Sequence, residues 1–174
     1  TISRDVSDPE KIKQTLLKLS EMVGRRLRAK KLEGRTVSLW YRSAFSREYF
    51  EQTGSMFSDQ GPLRQSFSEE SMQVTIPYTS DGLTIFKAGW ESFYKIWDRE
   101  AIRMIGISIS NLKPRTPATL SFLEDVKRTE VITKALDKIN DRYGEFTLQR
   151  GILLTSTKLK RMPNSFLSDR RFRV

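Results

Sequence analysis

The 174-residue chain is 37% hydrophobic and 10% aromatic, enough apolar material to bury a core and to exclude disorder throughout. Its 31 Lys and Arg residues stand against 21 Asp and Glu, a formal charge of +10 that favours polyanions such as nucleic acid or an anionic membrane. Neither cysteine nor histidine occurs, which excludes disulfides, thiolate nucleophiles, Cys/His zinc sites and any triad with an imidazole base.

The first residues, Thr1-Ile2-Ser3-Arg4-Asp5, lack the charged-then-apolar build of a signal peptide, and no run of about 18 apolar residues follows anywhere. A cytoplasmic protein is expected, and a start at Thr rather than Met suggests a piece of a longer chain. Ser7-Asp8-Pro9-Glu10 reads as a helix start, with Asp8 as N-cap, or Ser7 in a box with Glu10, and Pro9 in the first turn. Ile12, Leu16, Leu19, Val23 and Leu27 then recur at steps of three and four, and Gly34 is expected to end the helical segment.

Residues 35–42 alternate as a half-buried strand, with Val37, Leu39 and Tyr41 on one face and Thr36, Ser38, Trp40 and Arg42 on the other. From Ser46 to about Glu70, Gly54, Gly61-Pro62 and many polar residues predict a long loop with one short helical piece near Tyr49-Phe50. Alternation resumes over 71–78, which places Met72, Val74, Ile76 and Tyr78 inward and puts Pro77 at a strand end or edge. A Ser80 or Asp81 cap opens a second helix whose stripe is Leu83, Phe86, Trp90, Phe93 and Trp97. Such a stripe can line a cofactor box or stack bases, but a helix laid on a sheet needs the same spacing, so core is the expectation.

Residues 102–111 give another strand, with Ile105, Ile107 and Ile109 opposite the small residues Gly106, Ser108 and Ser110. The prolines of 113–117 mark a linker. A third helix is expected over Glu124 to Tyr143, with Ile132, Leu136, Ile139 and Tyr143 inward and Gly144 as its cap. A short apolar segment, Phe146 to Leu154, and a basic tail from Lys158 follow. This order predicts an α+β fold: a mixed or antiparallel sheet of about four strands with helices on one face.

Catalytic chemistry is not expected within the chain. Glu69 and Glu70 are adjacent and point to opposite faces of a strand, and Asp137 and Asp141 share a helix face with Lys134 and Lys138 that solvent would cover. No phosphate-loop or dinucleotide glycine pattern occurs. The open sheet face says more. Its outward residues are Thr36, Ser38, Arg42, Ser71, Gln73, Thr75, Ser108 and Ser110, flanked by Arg35, Arg103 and Lys113. Short hydroxyl and amide side chains let a nucleic-acid backbone approach and, with a few cations, contact phosphates without reading sequence. Water alone would also favour a polar face, but the face lacks the Asp and Glu of an indifferent surface. Stacking of bases finds only Trp40 in its support.

Three blocks carry a family resemblance. Leu32-Glu33-Gly34-Arg35-Thr36-Val37-Ser38-Leu39 resembles the "GRTV" strand of Y-family (translesion) DNA polymerase little fingers. Ile102 to Leu112 resembles the family's isoleucine-rich strand that follows an amphipathic helix, and Ala135 to Gly144 resembles the last helix of bacterial, DinB/UmuC-like members. The resemblance, covering Pro9 to Leu154, implies a domain that lies along the major-groove side of primer–template DNA and touches phosphates through Arg35, Thr36, Ser38, Thr75, Arg103 and Ser108. It implies residues 1–8 as a linker from an upstream catalytic core, 9–113 as the little finger, 114–154 as a linker with a helix–strand extension, and 155–174 as a basic tail.

The DNA polymerase activity and its magnesium would belong to that absent core, so no cofactor is expected here, and the parent would work at the nucleoid. Thr119, Leu120, Ser121, Phe122 and Leu123 sit where bacterial members carry a sliding-clamp peptide, with Thr119 in place of Gln and the order of Leu and Phe inverted at 122–123. Two other classes remain open: a protein-interaction module that recruits a replication partner, and an RNA-binding basic protein.

Overall fold

The computed structural model describes residues 5–43, 57–58, 61–62, 69–115, 124–144 and 146–154. The chain divides into two compact units, Thr1–Pro114 and Arg115–Val174.

The first unit begins with helix α1 (Pro9–Ala29), capped by Asp8, whose carboxylate accepts from the Glu10 amide at 3.0 Å. Ile12, Leu16 and Leu27 of its stripe are buried, together with Leu17, Ser20 and Gly24. The helix does not run to Gly34. It ends through Lys30 and Lys31, the latter in the left-handed region at φ 55°, and Gly34 lies inside strand β1 (Leu32–Ser43). There the residue serves packing rather than termination, because a Cβ on Gly34 would lie 2.7 Å from the Ile109 side chain.

The two-residue strands β2 (Phe57–Ser58) and β3 (Gly61–Pro62) pair with each other. The rest of the predicted loop, including the helical piece near Tyr49-Phe50, lies outside the described residues. Strand β4 (Glu69–Thr79) leads into helix α2 (Gly82–Ile96), whose cap, Asp81, accepts from both the amide and the hydroxyl of Thr84 at 2.8 Å. Strand β5 (Ile102–Ser110) and the two-residue β6 (Lys113–Pro114) complete the unit.

The sheet order is β4-β1-β5, with β6 pairing the start of β1, and every pairing is antiparallel. β4 and β5 are therefore parallel to each other across β1, and such a pair needs a crossover, which α2 supplies. Both helices cover one face, α1 leaning toward β5 and α2 toward β4. Two glycines let them meet closely: a Cβ on Gly24 would lie 2.8 Å from the backbone nitrogen of Gly82. Arg28 fastens the end of α1 to the turn before α2, donating to the Ser80 carbonyl at 2.7 Å.

Beneath the helices, Val37, Leu39, Tyr41, Ile85, Phe93, Ile102 and Ile105 are buried, as the period-two and period-3.6 patterns require. The aromatic stripe of α2 is part of this core. Phe86, Trp90, Phe93 and Trp97 stack in succession at 6.1, 5.4 and 5.0 Å, and Phe93 meets Tyr41 of β1 edge-on at 5.7 Å.

β4 departs from the expected alternation at its end. The register passes from Thr36↔Thr75 to Gly34↔Thr79, so Ile76, Pro77 and Tyr78 lie opposite the single residue Arg35. This bulge turns Tyr78 outward: it is 40% exposed, not part of the core as alternation predicts. Pro77, which has no N–H to give, sits in this irregular stretch of an outer strand.

In the second unit, helix α3 spans Glu124–Tyr143 and stops at Gly144, whose φ of 108° suits a residue without Cβ. Leu136 and Ile139 are half-buried, but Ile132 and Tyr143, expected inward, are exposed. The segment after it is not a strand. Asn140 brackets Leu148, donating to its carbonyl at 3.1 Å and accepting from its amide at 2.9 Å, and the chain then forms the four-residue helix α4 (Gly151–Leu154).

Candidate nucleic-acid interface

The face of the sheet away from α1 and α2 is built in rows by the register. Gln73, Ser38 and Ser108 stand side by side across β4, β1 and β5, and Thr75, Thr36 and Ser110 form the next row. On the other side Ser71, Trp40 and Gly106 make a third, and Glu69, Arg42 and Met104 a fourth. Eight of the predicted contact residues thus share one surface. Carboxylates are absent from its first three rows, and in the fourth Glu69 is engaged by Arg42 in an ion pair.

Small side chains predominate in the first three rows, and Trp40 is the one aromatic ring among them. The indole lies over Gly106, where a Cβ would overlap the ring, and it is 38% exposed. Asn111, which sequence reasoning passed over, donates to the Thr36 hydroxyl at 2.8 Å and holds it in place. Its left-handed backbone, φ 54°, is the signal that could have marked it, since Asn adopts that conformation more readily than most residues.

The flanking cations differ in how they are held. Arg103 occupies a bulge in β5 between Met104 and Ile102, and its Nε and Nη2 donate to the two carboxylate oxygens of Asp5 at 2.9 and 3.3 Å. The neighbouring Val6 pairs with Ile102 through two backbone hydrogen bonds of 3.0 and 2.9 Å, so Asp5 and Val6 are laid against the start of β5. Lys113 of β6 stands 4.0 Å from Glu33 and 4.0 Å above the ring centre of Tyr78. Arg35 lies 5.5 Å from the centre of the same ring and, among the described residues, has no carboxylate partner.

Of the predicted contacts, the structure thus brings Thr36, Ser38, Arg42, Ser71, Gln73, Thr75, Ser108 and Ser110 onto one face. Arg35 and Lys113 gather around Tyr78 at the β1–β6 end, and Arg103 is held by Asp5 at the opposite end of β5. Thr119, Leu120, Ser121, Phe122, Leu123 and the basic tail lie outside the described residues. No group of three or more acidic side chains able to hold a metal ion occurs among the described residues. No helix there is long and apolar enough to cross a membrane.

The sequence profile of the impB/mucB/samB family C-terminal domain matches residues 1–122. The chain belongs to this family. Among its relatives, DNA polymerase IV of Clostridium acetobutylicum is 30% identical over 156 residues, covering 88% of this chain and 34% of the relative. DNA polymerase IV of Acetivibrio thermocellus is 27% identical over 168 residues, 93% of this chain and 37% of the relative. DNA polymerase IV 1 of Bacillus subtilis is 26% identical over 174 residues, 97% and 37% respectively. This impB/mucB/samB C-terminal domain therefore spans about a third of the length of the polymerases it matches. The matched residues 1–122 contain the whole sheet and both of its covering helices, the part that resembles a little finger.

Proposed function

We propose that the chain is the non-sequence-specific DNA-binding domain of a translesion DNA polymerase, and that it grips the phosphates of primer–template duplex through the open sheet face. One observation carries this most: three successive rows without a carboxylate, made of hydroxyl, amide and small side chains apart from Trp40, and bordered by Arg and Lys. At about 3.4 Å per residue the six steps from Thr36 to Arg42 span about 20 Å, or about six phosphates of one strand at ~3.4 Å of rise. Hydroxyls and amides can donate to phosphate oxygens along that length, while Arg35, Arg42, Arg103 and Lys113 supply the charge. Phosphate contacts of this kind position a duplex and leave its sequence unread. Nucleotide addition, with its magnesium, would be the work of a catalytic core elsewhere in the polymerase, in bacterial cytoplasm at the nucleoid.

Binding to duplex DNA, single strands and structured RNA, measured by gel shift at several salt concentrations, tests this. Four cations engaged on phosphates give a slope of log K on log salt of about −3.6 for duplex. Binding that does not weaken with salt, or that prefers RNA, rejects the proposal. Residues 119–123 are further proposed as a sliding-clamp ligand, on their resemblance to a clamp-binding peptide alone. Leu120→Ala with Phe122→Ala should abolish capture on immobilised clamp, and equal retention of the variant rejects that part.

A further inference from the structure

Tyr78 has no place in the core that its alternation predicts, and the bulge in β4 sets it where two cations converge. Lys113 stands 4.0 Å and Arg35 5.5 Å from its ring centre. The two reach the ring from different strands: Arg35 lies opposite the bulge on β1, and Lys113 on β6 pairs with Glu33 of β1. Bringing two like charges to one ring costs repulsion. The negative face of the ring offsets part of it, and Glu33, 4.0 Å from Lys113, offsets more. An anion placed between the two cations would offset the rest. The corner also adjoins the row Thr75, Thr36 and Ser110, where the Thr36 hydroxyl is fixed by Asn111.

We infer that Tyr78 is a positioning residue that holds Arg35 and Lys113 as a paired site for one backbone phosphate at this end of the sheet. The inference rests on the DNA-binding function proposed above and adds a specific contact to it. Without the ring, two long and flexible side chains would repel each other and would have to be ordered by the phosphate itself.

Tyr78→Leu keeps an apolar side chain of useful size at an exposed position and removes the quadrupole, whereas Tyr78→Phe keeps the ring. Duplex binding by Tyr78→Leu should weaken about fivefold, with unchanged melting temperature, and Tyr78→Phe should restore it. Duplex affinity equal to wild type in Tyr78→Leu overturns the inference, as does an equal loss in both variants. A second readout needs no DNA. The side-chain methylene protons of Lys113 sit in the ring current of Tyr78, and inorganic phosphate should shift their NMR signals in the wild type but not in Tyr78→Leu. Failure of wild-type duplex binding with the phosphate shift intact would reject the DNA-binding function while leaving an anion corner. A wild type whose Lys113 signals ignore phosphate would overturn the corner itself.

Discussion

The indole of Trp40 lies across Gly106 on the neighbouring strand, and the two residues form one row of the open sheet face. A strand interior gains nothing from glycine unless another group needs the space. Here the ring takes it, covering backbone that would otherwise be bare. Gly106→Val should drive the indole off the sheet and destabilise the fold by about 1–3 kcal/mol, the usual cost of overpacking. Thermal denaturation checks this, and an unchanged midpoint would mean that the ring is not held there.

Tyr41 joins the sheet to α2 through its edge contact with Phe93 and through its hydroxyl, which donates to the Ile96 carbonyl at 2.9 Å. Burial, followed by the negative charges of Asp98 and Glu70, pushes the phenol above its ordinary value of 10.0. The folded state thus holds this proton more tightly than the unfolded state. Its stabilising share is complete below the ordinary value and is lost as pH rises from there through the folded value. Tyr41→Phe should cost about 1 kcal/mol at neutral pH through the lost hydrogen bond and should lessen the loss of stability at about pH 11. Urea denaturation at the two pH values measures both, and identical alkaline losses in the two proteins would contradict the assignment.

The Asp5 carboxylate occupies the guanidinium of Arg103 with two hydrogen bonds, so a phosphate must displace it. Asp5→Asn removes that competition. Both side chains are well exposed, and stability should change by no more than about 1 kcal/mol. Duplex binding should tighten at low salt, because Arg103 no longer has to leave a carboxylate before it meets a phosphate. Fluorescence anisotropy over a salt series is the measurement. Weaker binding by the variant would show that Asp5 aims Arg103 rather than blocking it.

What was legible in the sequence was local. The caps, Asp8 and Asp81 each being one of two candidates, most of the apolar stripe of α1, the aromatic stripe of α2 and the alternation in β1 and β5 each arise within one element and follow from the spacing, with Leu19 and Val23 of α1 only half-buried. What was missed depends on pairing. The bulge that exposes Tyr78 exists only because β4 must stay in register with β1 while Pro77 gives no hydrogen bond. The grip of Asp5 on Arg103 joins residues 98 positions apart, for which a linear pattern has no sign. The hydroxyl face lay between these extremes. Its members followed from alternation, but their alignment into rows required the register. The exposure of Ile132 and Tyr143 on α3 shows the converse, an apolar spacing that does not by itself bury a side chain.

The open face, as the place where duplex DNA is held, is tested most directly by comparing two charge changes. Ser38→Glu with Ser108→Glu sets two carboxylates side by side in the middle row. Lys87→Glu with Lys95→Glu makes a larger change in net charge on exposed positions of α2, the helix that covers the opposite face. If the sheet holds the duplex, the first pair should weaken duplex binding by more than about tenfold at ~0.1 M salt, and the second should matter much less despite its larger charge. Equal losses, or a greater loss from the helix pair, would contradict the sheet face as the DNA-binding surface.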